Sequence, residues 1–170
     1  MSGARKTNAL RILESLGVPH RVAEHPVPDA AAGGRSEGHL DAVQVARILG
    51  VSPGVLFKTL VAHGGREQVF VFCIPAAEEL DLKKAARVAG VRSVDLVPLK
   101  DLTPLTGYVR GGCSPIGMKK KFPVWIDESA TRLSSIYVNA GSRGLQVVIA
   151  PDDLRRVTGA IAADLCVSGA

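Results

Sequence analysis

The order of apolar and polar positions predicts short helices separated by strands. Apolar residues at helical spacing over residues 7–16 predict a first helix, which Gly17 ends. Residues 41–50 and 81–90 repeat this pattern, each with an aspartate at the start and a glycine at the end. These are typical N-cap and C-cap residues, so two more helices are expected. Further helical segments are predicted at 99–107 and 151–165.

Runs of Val, Ile, Leu and Phe predict the strands. The runs at 55–62 and 68–74 are apolar at nearly every position, and the loop between them contains glycines. This arrangement is typical of a hairpin that is covered on both faces. The other predicted strands are 18–25, 93–98, 122–127, 135–141 and 145–150, with a tight turn at 141–144.

This order of elements has too few crossover helices for a doubly wound parallel sheet. We therefore predict an α+β fold with a mixed, partly barrel-like β-sheet surrounded by helices. A length of 170 residues favours one domain, 1–170. Residues 25–41 are rich in proline, glycine and small residues, which predicts a loop that is either a mobile insertion or a lid.

Composition narrows the classes of function. Hydrophobic residues make up 46% of the chain, which is enough for a packed core. Only 4% of the residues are aromatic, and this argues against a protein that stacks many bases on aromatic rings. The net charge of +5 suits an anionic partner without identifying one.

The cysteines indicate neither a metal site nor a disulfide framework. Cys73, Cys113 and Cys166 are odd in number and widely spaced, and the sequence contains no CxxC or HExxH motif. We expect a cytoplasmic protein without metal or cofactor, since free thiols suit a reducing compartment. No apolar run approaches the ~18 residues of a membrane span, and the first residues lack the apolar run of a signal peptide.

Lys58 is unusual because it stands inside an apolar run. An unpaired ammonium is costly to bury. Lys58 therefore either occupies a rim, where its stem packs and its charge reaches water, or points into a pocket toward a phosphate or hydroxyl. The pattern alone leaves both interpretations open.

The stretch GYVRGGCSPIGMKKK, residues 107–121, combines glycines with positive charge. Gly111 and Gly112 allow positive φ and close approach of a ligand. Successive amides in such a loop can bind an anion or polarise a carbonyl, while Ser114 adds a hydroxyl and Pro115 stiffens the turn. A purely structural β-turn is the alternative, and the spacing is not that of a phosphate-binding P-loop.

Two other features of this stretch invite a functional interpretation. Cys113 would need a base or an orienting partner to act as a nucleophile, and none is near it in sequence. Lys119, Lys120 and Lys121 are either a solvated face or contacts for phosphates.

Four segments, FKTLVA, ELDLKKAARVAG, GYVRGGCSPIGMKKKFPVWID and IYVNAGSRGLQVVI, resemble in this order the YbaK/EbsC family of aminoacyl-tRNA deacylases. That family is related to the editing domain inserted in bacterial prolyl-tRNA synthetases. The resemblance covers residues 10–165. It implies a mixed, partly barrel-like sheet with helices outside, and a free-standing enzyme that hydrolyses the ester between a wrong amino acid and its tRNA.

The resemblance leaves the substrate open. Cys-tRNA(Pro) is typical of the members that look most similar, and Ala-tRNA(Pro) is typical of some relatives. A non-catalytic module that binds tRNA or a synthetase is a third hypothesis. Aminoacyl-tRNA is the expected partner, and prolyl-tRNA synthetase is a further candidate.

The resemblance also implies a site. The lysine of the family's KT motif, Lys58 here, is required for activity and lies near the 3′-terminal adenosine, and the Gly-x-x-x-Pro loop, Gly111 to Pro115, holds the aminoacyl carbonyl. In cysteine-specific members the substrate thiol attacks its own ester, so Cys113 need not act. The predicted catalytic residues are Lys58, Gly111, Gly112 and Ser114; the substrate-binding residues are Thr59, Cys113, Pro115, Asn139 and Gly141; the tRNA-binding residues are Lys119, Lys120, Lys121 and Arg143.

Three positions depart from the family pattern. Asn139 stands where a small residue or a small hydroxyl is expected, Ser142 replaces a common lysine, and residues 26–38 form a longer stretch than in compact relatives. All three could line the aminoacyl pocket or the path of the tRNA, so they bear on amino-acid specificity.

Overall fold

The computed structural model of the chain describes residues 6–28, 40–65 and 67–168. In this part of the chain, five α-helices of eight residues each lie around two β-sheets. The helices are α1 (Asn8–Ser15), α2 (Ala42–Leu49), α3 (Leu82–Ala89), α4 (Leu99–Thr106) and α5 (Pro151–Thr158), with a 3₁₀ helix at Glu128–Arg132. The strands are β1 (Arg21–Glu24), β2 (Phe57–His63), β3 (Val69–Pro75), β4 (Asp95–Leu96), β5 (Val124–Asp127), β6 (Ile136–Ser142), β7 (Leu145–Ile149) and β8 (Ile161–Ala163).

The strands form one antiparallel and one mixed sheet. The three-stranded sheet has the order β1-β7-β6, and the five-stranded sheet has the order β4-β2-β3-β5-β8. β2 is antiparallel to β3, whereas β3 and β5, and likewise β5 and β8, are parallel. A bridge between Leu56 and Tyr137 joins the two sheets at one corner. The α+β class and the mixed sheet are confirmed, and across the described residues the sheets do not close into a barrel.

β3 is the centre of the core, because it is buried on both faces. Val71 and Cys73 pack in the cluster that contains α1 and the inner faces of β6 and β7. Phe72 and Ile74 lie on the opposite face, in the cluster that contains α3. A strand with two covered faces has no polar alternation, which explains the continuous apolar run at 68–74. Burial of each such side chain contributes about 1.5–3 kcal/mol.

The predicted helix caps are present. The Asp41 carboxylate accepts a hydrogen bond from the Gln44 N–H at 2.8 Å, and the Gln44 side chain accepts one from the Asp41 N–H at 2.9 Å. This capping box satisfies two N–H groups at the start of α2. Gly50 ends the helix with a φ of 70°, a left-handed conformation that glycine adopts without strain. At α3 the Asp81 side chain accepts hydrogen bonds from the N–H groups of Lys83 and Lys84, and Gly90 ends the helix with a φ of 71°.

The prediction of a closing helix over 151–165 is wrong in its second half. α5 ends at Thr158, Gly159 takes a φ of 75°, and the chain then forms β8 beside β5. The pattern contained no signal for this pairing, because the partner strand lies more than thirty residues earlier in the chain. The strand predicted at 93–98 is also shorter than expected, since Pro98 stands directly before α4.

Part of the loop predicted at 25–41 lies outside the described residues, as do residues 1–5, Arg66 and residues 169–170. The interpretation of residues 29–39 as an insertion or a lid therefore stays a prediction. Among the described helices, none combines the length and the apolar character needed to cross a bilayer.

Asp127 ties the C-terminal segment to β5, and this makes stability depend on pH. Its carboxylate is buried and accepts hydrogen bonds from the N–H groups of Ser129 and Leu165, both at 3.1 Å. Burial acts to raise its pKa, but the hydrogen bonds outweigh burial and hold the pKa below the ordinary value. A lowered pKa stabilises the fold at a pH above the unfolded-state value, and that contribution is lost as pH falls through the folded-state value.

We therefore expect Asp127→Asn to lower the free energy of unfolding by about 1.5–3 kcal/mol at neutral pH, the range for hydrogen bonds to a charged group. Urea titration at pH 7 and at pH 3 would measure the difference. The deficit should shrink at the lower pH, where the wild-type carboxylate begins to protonate. An equal deficit at both pH values would contradict the electrostatic account.

Candidate active site

A cavity of about 610 Å³ lies along the open edge of β2. One edge of β2 pairs with β3 over its whole length, whereas the other pairs with β4 only at Ala62 and His63. At the start of the strand, Leu56 bridges to Tyr137 of β6. Residues 57–61, between these two contacts, line the cavity. Its other walls come from α2, the β4–α4 segment, a glycine-rich loop, and β6 and β7, and its polar lining residues are Asp41, Lys58, Thr59, Arg110, Asn139 and Gln146.

Lys58 projects from β2 into this cavity. The side chain is half-buried, and its Nζ donates a hydrogen bond to the carbonyl of Ala76 at 3.1 Å. Burial lowers its pKa, although the nearby carboxylates of Asp41, Glu78 and Glu79 act in the opposite direction. An ammonium has three N–H donors, and two of them have no acceptor among the described residues. Both interpretations of the sequence therefore apply, since Lys58 lies at a strand edge and also faces a pocket.

The glycine-rich loop, residues 108–117, is closed on itself. The Tyr108 hydroxyl donates to the carbonyl of Ile116 at 2.6 Å, which joins the two ends of the loop. Within it, the Gly112 N–H donates to the carbonyl of Val109 at 3.0 Å, which closes a β-turn. Gly111 takes a φ of 81° in that turn, a conformation that disfavours any residue with a Cβ.

The end of β6 and the turn that follows it hold this loop in place. Nδ2 of Asn139 donates to the carbonyl of Gly111 at 2.9 Å, and Nε of Arg143 donates to the carbonyl of Arg110 at 2.9 Å. A Cβ on Gly112 would lie 3.0 Å from the backbone nitrogen of Arg143. Gly112 is therefore needed because the backbone of the turn packs directly against it.

These contacts decide which amides of the loop could serve a ligand. The N–H of Gly112 is used by the turn. The N–H groups of Gly111 and Cys113 have no acceptor among the described residues, and both residues line the cavity. The N–H groups that remain for a ligand thus belong to the two cavity-lining residues that flank Gly112, an alternation that a count of glycines does not reveal.

The other predicted residues of the loop differ in access. Cys113 lines the cavity, and burial raises the pKa of its thiol to about 12. Ser114 is fully buried, and its hydroxyl accepts a hydrogen bond from the Ile116 N–H at 3.2 Å. Pro115 is also buried, and neither it nor Ser114 lines the cavity. Both lie behind the loop and support it.

The remaining predicted residues fall into two groups. Thr59 and Asn139 line the cavity with Lys58. Gly141 lies behind the wall at a φ of 98°, and its N–H donates to Oδ1 of Asn139 at 2.6 Å. Lys119, Lys120 and Lys121 are exposed outside the cavity, and none forms an ion pair with a described residue.

Three polar residues of the cavity were missed by the sequence prediction. Asp41 was interpreted only as a helix cap, and Arg110 and Gln146 were not singled out. Gln146 is buried within β7 directly opposite Asn139, and its Nε2 lies 3.4 Å from Nε2 of His25. A glutamine inside the apolar run LQVVI was a usable signal, because buried polar side chains need partners.

Known proteins resemble the chain over most of its length. The model of the aminoacyl-tRNA editing domain family matches residues 37–157. An Enterococcus faecalis protein named as a candidate Cys-tRNA(Pro)/Cys-tRNA(Cys) deacylase, EbsC, is 46% identical over 91% of this chain and 89% of its own. YwhH of Bacillus subtilis, an uncharacterised protein, is 28% identical over 65% of this chain and 70% of its own.

Solved structures extend the likeness to the fold. One, described as a candidate trans-editing enzyme for prolyl-tRNA synthetase, has a TM-score of 0.78 at 27% identity and covers 97% of this chain and 100% of that one. The hypothetical protein APE2540 shares the fold with a TM-score of 0.81 at 22% identity, covering 95% of this chain and 100% of that one. The chain belongs to the aminoacyl-tRNA editing domain family. It is an aminoacyl-tRNA deacylase, a hydrolase of the aminoacyl ester.

The raised pKa of Cys113 predicts slow alkylation of its thiol, because the thiolate is the reactive form. At pH 8 we expect iodoacetamide to modify Cys113 in the folded protein about a hundredfold or more slowly than in the unfolded chain, where cysteine has a pKa near 8.5. Peptide mass spectrometry after timed quenching would follow the reaction. The same protein in guanidinium is the control, and equal rates in both states would overturn the assignment.

Proposed function

We propose that this deacylase acts on tRNA charged with cysteine, and that its main substrate is Cys-tRNA(Pro). The observation that carries the proposal is the cavity itself. It combines one lysine ammonium, two loop amides without acceptors among the described residues and a protonated thiol, and none of the described residues that line it is a histidine that could activate a nucleophile. Such a site can position an ester and stabilise charge, while the attacking group comes from the substrate.

The volume and the charges of the cavity suit the acceptor end of a charged tRNA. About 610 Å³ is within the range of pockets that hold a small molecule, so an aminoacyl group with its adenosine fits in size. The carboxylate of Asp41 suits the α-ammonium of an aminoacyl ester. Lys58 suits the ribose hydroxyl or a phosphate, for which its ammonium acts as a point charge.

Cysteine supplies its own nucleophile. Its thiol sulfur attacks the ester carbonyl, which forms a C–S bond and breaks the C–O bond to the ribose, while the thiol proton ends on the ribose oxygen. The product is a four-membered thiolactone, which water then opens to free cysteine. Negative charge builds on the carbonyl oxygen during the attack, and the N–H groups of Gly111 and Cys113 would stabilise it by roughly 3–4 kcal/mol per good donor.

The remainder of the substrate lies outside the cavity. The exposed run Lys119–Lys121 follows the glycine-rich loop directly and would contact the phosphates of the acceptor stem. The enzyme would then work in the cytoplasm, where charged tRNA is used. Prolyl-tRNA synthetase is the candidate partner that would select tRNA(Pro), because the cavity provides contacts for the amino acid rather than for the tRNA body.

Lys58→Met tests the site, since methionine keeps the packed stem and removes the ammonium. We expect deacylation of Cys-tRNA(Pro) to slow on the order of a hundredfold, as for the loss of one electrostatic contact in an active site. Lys83→Met, on the exposed face of α3, is the matched control. Wild-type rates in Lys58→Met would show that Lys58 is not part of the site.

A second experiment identifies the amino acid. Deacylation of tRNA(Pro) charged with cysteine, alanine or S-methylcysteine is measured in parallel. Only cysteine has a free thiol, so we expect its ester to react about a hundredfold faster than the other two, because intramolecular attack gains from proximity. Comparable rates on Ala-tRNA(Pro) would replace the thiol mechanism with attack by a positioned water. If none of the three esters is hydrolysed, the hypothesis that remains is a non-catalytic module that binds tRNA.

A further inference from the structure

We propose that Asn139 and Arg143 are positioning residues that fix the two peptide units around Gly111 and thereby aim its N–H into the cavity. Neither contacts the reacting atoms in this role. Asn139 donates a hydrogen bond to the carbonyl of Gly111, and Arg143 donates one to the carbonyl of Arg110. The inference rests on the proposed function, because it assigns a task to the amide that the proposed chemistry uses.

The geometry of the trans peptide carries the argument. In each peptide unit the C=O and the N–H of the next residue point in opposite directions. The hydrogen bond from Arg143 to the carbonyl of Arg110 therefore also fixes the N–H of Gly111, on the side away from the β6–β7 turn. That N–H has no acceptor among the described residues.

Asn139 completes the arrangement by fixing the next peptide unit. Its Nδ2 holds the carbonyl of Gly111, and the N–H on the far side of that unit, from Gly112, donates to Val109. The amide orientation of Asn139 is itself determined, because Oδ1 accepts from the Gly141 N–H and Nδ2 also donates to the carbonyl of Ser142 at 3.2 Å. Gly111 has a φ of 81°, and without the hydrogen bonds from Asn139 and Arg143 either of its two peptide units could rotate.

This role differs from the tRNA contact that the sequence predicted for Arg143. The atom that donates to the loop is Nε, the inner nitrogen of the guanidinium, rather than one of its two terminal nitrogens. Lysine has a methylene at the corresponding position and keeps the positive charge. Arg143→Lys therefore separates the two hypotheses: it removes the bond to the loop but preserves attraction to phosphate.

The experiment compares Arg143→Lys and Asn139→Asp with wild type. Asn139→Asp keeps the oxygen that accepts a hydrogen bond from the Gly141 N–H, and it loses the Nδ2 group that donates to the carbonyl of Gly111. The matched control is Asn8→Asp, because Nδ2 of Asn8 donates to the carbonyl of Gly117 in the same loop at 2.8 Å but lies outside the cavity. The readouts are kcat and KM on Cys-tRNA(Pro), kcat on 3′-O-cysteinyl-adenosine, affinity for uncharged tRNA, and hydrogen exchange of residues 109–114.

We expect kcat to fall about tenfold to a hundredfold in both variants on both substrates, with tRNA affinity and KM within about twofold of wild type. Exchange at 109–114 should become faster in both, whereas Asn8→Asp should match wild type in every readout. An unchanged kcat would overturn the proposal. So would a defect in Arg143→Lys that affects only tRNA binding and is absent on cysteinyl-adenosine.

Hydrogen exchange also separates this proposal from the proposed function. If the wild-type protein hydrolyses neither substrate, the proposed function fails, and the exchange comparison still decides whether the two side chains hold the loop. Unchanged exchange in both variants would overturn the positioning role. If Asn139→Asp fails to fold, Arg143→Lys alone decides by the same criteria, because Arg143 is only partly buried and does not belong to the core.

Discussion

One edge of β2 is paired with β3 over seven residues, and the other is left open between a bridge at Leu56 and a two-residue contact with β4. The cavity exists because nothing in the five-stranded sheet covers this gap. The three-stranded sheet meets β2 at a corner, through the Leu56–Tyr137 bridge, and contributes Asn139 and Gln146 to the cavity wall. Lys58 acquires both its partial burial and its access to a ligand from this position.

The glycine-rich loop depends on the same corner. Its φ at Gly111 and the close approach at Gly112 are tolerated only without a Cβ, and both are held by the β6–β7 turn. Glycine alone would make the loop mobile, since it permits many conformations. The side chains of Asn139 and Arg143 donate hydrogen bonds to two carbonyls of the loop and so restrict that freedom. The stretch is thus both a structural turn and a wall of the site.

Much of the fold follows from local sequence. The caps at Asp41, Gly50, Asp81 and Gly90 act within one helical turn, so they were recognisable without a structure. The apolar hairpin was recognisable for a related reason, since a strand covered on both faces loses its polar alternation. β8 was missed because pairing with β5 is a long-range contact, and three residues carry too little pattern to reveal it.

The sequence by itself determined the residue types of the candidate site, namely a lysine in an apolar strand and a loop of glycines, because both violate the local pattern around them. Only the tertiary structure decided how these residues are placed and which hydrogen bonds they form. It used the Gly112 amide in a turn, left those of Gly111 and Cys113 without an acceptor among the described residues, buried Ser114, and brought Asp41, Arg110 and Gln146 to the cavity from elements far apart in the chain. The physical reason is that hydrogen-bond partners and burial are set by which elements pack together, and a local pattern does not contain that information.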